Sequence, residues 1–369
     1  MNIAEITTYK VGGVYTHVEE LVKRINADTL IITGSSKKSG YQTEKNLKFF
    51  HIPVLFPIQD IYFIDPPGSY KKVKKVINEN KIDLIHLHGP LFTFCNKIIK
   101  KIKVPCVFTT HYVLDFKGNK ILALIYGVII RYVTKKIAKN VDKIICVNKD
   151  YISKYVKWGI NREKIVYIPN GIDINKFSPG KSDVKEKLKC KNLIIFWGRL
   201  GYQKNTHMLV KAFKNIKTPD TKLVIIGKGP DLKKLKKLAG DNKNIIFTGY
   251  LSDKDLLNYA RAADIAVLPS KAESWGLVIG EAMACELPVI SSDVGMAGEL
   301  LGDGRGIVLN KETSDEISEK IDYLLNDKEK CKEMGKKGRK FIVEHYGWNE
   351  VIQKTEKLYK SLIKQGKKV

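Results

Sequence analysis

The chain has 369 residues, more than one domain usually holds, so two domains of roughly 150–200 residues are expected. Hydrophobic residues make up 44%, enough for ordinary cores, which excludes a disordered chain. The formal net charge of +26 invites a nucleic-acid partner, yet only seven of the 65 cations are arginine, the residue that bidentate phosphate and base recognition favours.

The lysines are spread along the chain, with clusters at 71–75, 233–237 and 336–340. Such an evenly basic surface suits a phosphorylated ligand or an anionic lipid surface, and no nucleic-acid partner is expected. Six cysteines (Cys95, Cys106, Cys146, Cys190, Cys285, Cys331) show no CxxC spacing and lie mostly in apolar runs. They read as reduced thiols of a cytoplasmic protein. The start, MNIAEITTYKVGG, lacks a basic stretch followed by a long apolar run, so no signal peptide is read there.

In chain order, short runs rich in Ile, Val and Thr predict strands over 3–7, 29–33, 82–88, 106–110 and 143–148. Between them, apolar residues at three- and four-residue steps predict helices over 15–25, 70–80 and 126–140. This alternation implies βαβ units and a parallel sheet buried on both faces. The run ILALIYGVII at 121–130 is only half the ~20 residues a membrane span needs. It reads as a buried helix, or else as a helix lying on a membrane surface, since the basic RYVTKKIAKN follows.

The stretch IPNGIDINKFSPGKSD (168–183) carries two prolines, two glycines and several Asn and Asp, and reads as a hinge. Strands are then predicted over 192–198, 221–229, 244–249, 264–270 and 287–292. The fold class expected is α/β, with two Rossmann-like doubly wound domains, 1–170 and 171–347, facing a central cleft. In open sheets of this kind ligands bind beyond the carboxyl ends of the strands.

Four stretches sit at such ends. Gly12 and Gly13 form a turn ahead of a helix whose N–H groups offer an anion site. Arg199 and Lys204 lie between a strand and a helix, an arrangement suited to a diphosphate. Glu273 falls in a loop and Glu281 about one turn into the next helix, near the backbone N–H groups of Gly276 and Leu277. This carboxylate pair reads either as an acid–base couple or as acceptors for sugar hydroxyls. His86, His88 and His111 close two further strands without a metal-site spacing, so no metal is expected, and His111 is the best placed to touch a substrate.

Together these stretches resemble the retaining glycosyltransferases of family 4 (glycosyl transferases group 1), with the GT-B fold. The most specific elements are IPNGID (168–173), GRLGYQKN (198–205) and the span from Glu273 to Glu281, extended through Glu299. The resemblance implies transfer of a hexosyl group from a UDP- or GDP-sugar to a hydroxyl acceptor, lipid-linked, cell-surface or small. It implies that Gly13 contacts the diphosphate and His111 the transferred sugar. Arg199 and Lys204 would hold the leaving diphosphate, while Glu273 would bind sugar hydroxyls and Glu281 the ribose. It further implies no metal or other cofactor, and a C-terminal helix, about 348–369, packing back on the first domain. Three departures stand out: Trp275 where Phe is commoner, Glu286 where Gly is commoner, and Met296-Ala297 ahead of Glu299. The rival readings are an epimerase or phosphorylase-like enzyme on the same fold, and a nucleic-acid-binding protein. Placement at the inner face of the cell membrane is expected if the acceptor is lipid-linked.

Overall fold

The computed structural model describes residues 1–7, 12–35, 40–53, 66–89, 95–112 and 120–366. Two compact units emerge, one of Met1–Leu114, Ile121–Gly171 and Asn349–Val369, the other containing Ile172–Trp348.

The first unit holds eight described strands, β1 (Asn2–Thr7), β2 (Asp28–Ser35), β3 (Gly40–Glu44), β4 (Leu47–Pro53), β5 (Leu84–His88), β6 (Cys106–Thr110), β7 (Lys143–Cys146) and β8 (Ile165–Tyr167). Their order is β3-β4-β2-β1-β5-β6-β7-β8, parallel throughout except for the β3/β4 pair. Strands β5 and β6 are buried at every position, as a sheet covered on both faces requires. The β3/β4 hairpin was not expected from the sequence. Its turn residues, Lys45 and Asn46, both have positive φ (50° and 63°), the sense a two-residue hairpin turn demands, but without the Asn-Gly signature.

The second unit carries β9 (Asn192–Trp197), β10 (Thr221–Ile226), β11 (Ile245–Gly249), β12 (Ile265–Leu268), β13 (Val289–Ser292) and β14 (Ile307–Leu309). Their order is β11-β10-β9-β12-β13-β14, all parallel. The doubly wound α/β class expected from the alternation is therefore present in both units. Each sheet reverses its strand order once near its first strand, between β1 and β5 and between β9 and β12, and such switch points leave a crevice at the carboxyl ends.

The boundary between the two units, Gly171/Ile172, falls inside the expected hinge at 168–183, and its second part is bonded within the second unit. Ile172 donates its N–H to the Tyr346 carbonyl at 2.8 Å and bridges to Gly347, while Asp173 Oδ1 accepts the Lys176 N–H at 2.9 Å.

The 121–130 run corrects the buried-helix reading. It belongs to the helix Lys120–Ala138, whose inward stripe is Ile130, Thr134, Ile137 and Ala138. Leu124, Val128 and Tyr132 are 69%, 61% and 65% exposed, and Ile125 and Ile129 are exposed beside them. The helix buries only that stripe, so apolar residues placed off it between 124 and 132 face outward. Among the described residues no helix is long and apolar enough to cross a membrane.

Candidate functional site

In the second unit, three loops converge at the carboxyl ends of the adjacent strands β9, β12 and β13. The first is 198–205, between β9 and the helix Thr206–Phe213. It rests on the loop after β10: Leu200 donates its N–H to the Lys228 carbonyl at 2.9 Å, and Asp231 donates to the Leu200 carbonyl at 3.0 Å. A Cβ on Gly227 would stand 1.9 Å from the Gly198 oxygen, and one on Gly229 would stand 2.1 Å from the Leu200 oxygen. Only glycine permits this approach of backbone to backbone. The GKG at 227–229 directly after a strand was the available sequence signal for it.

The second loop, 270–276, is tied to the first by the Lys271 N–H, which donates to the Gln203 carbonyl at 2.7 Å. The third follows β13 and is tied to the second where the Met296 N–H meets the Trp275 carbonyl at 3.0 Å. These links bring together Lys204 and Glu273, 69 positions apart in the sequence. Lys204 Nζ donates to Glu273 Oε1 at 2.5 Å, and Ser270 Oγ donates to the same oxygen at 2.9 Å. Both partners of the ion pair stay partly accessible, with side chains 21% and 18% exposed. Arg199 is exposed on the same loop as Lys204.

Glu281 lies in the helix Leu277–Ala284, which opens at Gly276 with φ 96° and no side-chain cap. Its Oε2 accepts the indole N–H of Trp197, the last residue of β9, at 2.9 Å. Burial pushes the Glu281 pKa up, and the Trp197 hydrogen bond works against that rise. This half-buried carboxylate, held among the described residues by the Trp197 indole, can receive further hydroxyl donors. Trp197 was missed as a site residue because it ends a buried strand and reads as core.

In the first unit, Gly12 has φ 88° and precedes the helix Gly13–Arg24, with open space where a Cβ would point. The positive φ is its reason for being glycine. Lys10 and Val11 of the same expected loop lie outside the described residues.

The histidines form a buried cluster at the β1/β5 switch point. Glu5, wholly buried on β1, pairs in register with His86 on β5. His88 Nε2 lies 2.7 Å from Glu5 Oε2, and His88 Nδ1 lies 3.2 Å from His111 Nε2. His86 Nδ1 is 3.0 Å from the same Glu5 oxygen, and its Nε2 is 2.6 Å from Thr109 Oγ1. Tyr359, from the helix Trp348–Gly366, donates its hydroxyl to Glu5 Oε1 at 3.0 Å. The ring of His17 stands edge-on to His111, centroids 5.3 Å apart.

Burial raises the Glu5 carboxyl, but attraction and hydrogen bonds from His86 and His88 outweigh that and hold it well below the usual carboxylate range. Burial lowers His88 to about 4 and His17 to about 3, and holds His111 well below its ordinary value. These three rings are therefore neutral near pH 7. One ring nitrogen from each of His17, His88 and His111 lies within 4.8 Å of the others, a grouping that could hold a metal ion and that sequence spacing did not reveal. Glu5 carried one signal, an acid inside an apolar strand. His17 and Tyr359 carried none.

Two Rossmann-like domains, each with a crevice at its switch point, are the architecture of the GT-B fold, and the family matches give the class as glycosyltransferase. The model for "Glycosyltransferase Family 4" matches residues 11–176, and that for "Glycosyl transferases group 1" matches residues 180–341. The chain belongs to this group 1/family 4 glycosyltransferase family. An uncharacterized glycosyltransferase of Methanocaldococcus jannaschii is 31% identical over 95% of each chain. A GDP-mannose-dependent monoacylated phosphatidylinositol monomannoside mannosyltransferase of Corynebacterium glutamicum is 23% identical, again over 95% of each. A UDP-Gal:alpha-D-GlcNAc-diphosphoundecaprenol alpha-1,3-galactosyltransferase of Escherichia coli is 29% identical, covering 89% of this chain and 88% of its own. Among solved structures, sucrose-phosphate synthase from Thermosynechococcus elongatus superposes with a TM-score of 0.82 at 20% identity, over 99% of this chain and 100% of that one. Anabaena HepE in complex with UDP-glucose superposes at 0.79 and 19% identity, over 98% and 100%.

Proposed function

We propose that this glycosyltransferase moves a hexosyl group from a UDP- or GDP-sugar to a hydroxyl of a lipid-linked glycan, with retention of anomeric configuration. The observation that carries the donor half is the tying of the Arg199–Lys204 loop to the Glu273 loop through the Lys271 N–H and the Lys204–Glu273 ion pair. Lys204 has three N–H donors and commits one to Glu273, so the same ammonium can meet a diphosphate oxygen while orienting the carboxylate toward sugar hydroxyls. Arg199 adds a second cation on the leaving group, whose negative charge grows in the transition state. Glu281, held by Trp197, takes the ribose hydroxyls.

The acceptor oxygen attacks the anomeric carbon from the face the diphosphate leaves, and a diphosphate oxygen takes the acceptor proton. In this scheme the two cations and a helix N-terminus do the work a divalent metal does elsewhere, so a chelator leaves transfer intact. The glutamate pair serves donor recognition and takes no acid–base step.

The acceptor half rests on the helix Lys120–Ala138. Its outward apolar residues are followed by Arg131, Lys135, Lys136 and Lys139 in a chain of net charge +26, which suits an anionic membrane surface. The names of the Corynebacterium and Escherichia coli relatives, with a phosphatidylinositol mannoside and an undecaprenyl diphosphate, point the same way.

The test incubates UDP-, GDP- and ADP-sugars with and without lipid-linked acceptors. Nucleotide release that depends on the acceptor supports transfer, whereas interconversion of the sugar without an acceptor points to an epimerase. Wild-type turnover in both Arg199→Ala and Lys204→Ala sinks the donor assignment. For the surface, binding to anionic vesicles at low salt is expected and should fall at least tenfold in Leu124→Asp/Val128→Asp. Equal affinity of wild type and variant sinks it.

A further inference from the structure

The polar atoms at the β1/β5 switch point do more than satisfy one another. A carboxylate can only accept hydrogen bonds, so the 2.7 Å contact between His88 Nε2 and Glu5 Oε2 requires the proton on Nε2 of His88. In the neutral ring Nδ1 is then a lone pair. That lone pair lies 3.2 Å from His111 Nε2, which must donate to it. The proton of His111 is thereby held on Nε2, and its Nδ1 is left as an acceptor. Tyr359 Oη donates to the other Glu5 oxygen at 3.0 Å and accepts from His86 Nδ1 at 2.5 Å, while His88 donates to Oε2, so donors approach both carboxylate oxygens. Glu5, His86 and His88 are at most 1% exposed, so water does not compete for these bonds.

We propose that Glu5 and His88 are positioning residues that hold His111 as the neutral Nε2–H tautomer, presenting Nδ1 to a hydroxyl of the transferred sugar, with Tyr359 supporting the Glu5 carboxylate. This rests on the reading of His111 as a sugar contact. A neutral acceptor suits that place because positive charge grows on the sugar ring as the bond to the diphosphate breaks, and an imidazolium would oppose it. The relay also explains the burial of an acid in the strand IAEIT, where an apolar residue would otherwise pack at no electrostatic cost.

The full chain, labelled with 15N at histidine, tests this through long-range proton–nitrogen spectra of the imidazoles. His88 and His111 are each expected as the neutral Nε2–H form from pH 6 to 8. In Glu5→Gln the carboxamide offers both a donor and an acceptor to His88. The His111 signals should then show a tautomer mixture, and kcat should fall tenfold or more with the donor KM within threefold. A role in packing alone would lower stability and the active fraction without moving the tautomer. Should Glu5→Gln not fold, His88 variants decide: Asn, which keeps an acceptor near the place of Nδ1, should retain the His111 tautomer, and Leu should lose it. Tyr359→Phe, losing one donor to the carboxylate, should keep the tautomer and lower kcat less than fivefold.

His111 found as the Nδ1–H form or as imidazolium at pH 7 overturns the proposal. So does wild-type kcat in Glu5→Gln, or one equivalent of metal in the purified protein, since an ion bridging His17, His88 and His111 would need the lone pair that the relay protonates. If no donor supports sugar transfer, the reading of His111 falls, and the spectra still decide whether Glu5 and His88 set its tautomer.

Discussion

The two switch points of this chain solve opposite electrostatic problems with similar side chains. At β9/β12, Lys204 and Glu273 form an ion pair that remains partly accessible, beside an exposed arginine. At β1/β5, Glu5 is wholly buried among His86, His88 and Tyr359. An accessible pair contributes little to stability and can exchange partners when a phosphate arrives. A buried carboxylate contributes through completeness, because each missing donor leaves a charge uncompensated. The difference teaches that the second unit is arranged to meet charge and the first to hold geometry.

The comparison breaks most visibly with pH. His17, His88 and His111 have folded pKa values below the ordinary 6.5, so below about pH 6.5 the unfolded chain binds protons the folded chain refuses. Stability is intact above that value and falls as pH drops toward about 4, where His88 itself titrates, at up to ~1.4 kcal/mol per pH unit for each ring. Urea midpoints at pH 7 and 5 measure this, and equal midpoints would mean a solvated cluster. Glu5→Ala should cost about 3–5 kcal/mol by the same denaturation experiment. The corresponding loss at the other site is kinetic: Lys204→Ala should lower kcat by ~10²–10³ while unfolding hardly changes.

Smaller effects sharpen the contrast within the second unit. Trp197→Phe removes the indole donor given to Glu281, about 1 kcal/mol, so the donor KM should rise three- to tenfold. Because that donor also lowers the Glu281 pKa, the acid rise of KM should move to higher pH in the variant, and an unmoved limb would separate Glu281 from nucleotide binding. The smallest change concerns Glu286, whose φ of 61° is a left-handed conformation. Glu286→Gly should raise stability by ~1 kcal/mol, and a loss instead would mean that its side-chain contacts outweigh the strain.

Much of the second unit was legible from the residues. Apolar strands ending in loops with scarce arginine, paired glutamates and glycine placed Arg199, Lys204 and Glu273 in loops after strands and Gly276, Leu277 and Glu281 at the opening of the next helix, because period and turn chemistry are local properties. At position 286 the backbone is left-handed, a conformation that glycine adopts without strain. The hairpin β3/β4, the Trp197–Glu281 contact and the outward face of 124–132 were not legible. Each depends on which surface covers which, and no spacing encodes that.

The amino-acid sequence by itself determined the alternation of strands and helices and the residue types at the strand ends, since both follow from short-range pattern. Only the tertiary structure decided that Glu5, His88, His111 and Tyr359 meet, because the protons they share depend on distances of about 3 Å between residues up to 354 positions apart. Hydrogen bonding falls away within an ångström of that distance. A histidine cluster that looked like separate strand ends is therefore one object in the fold.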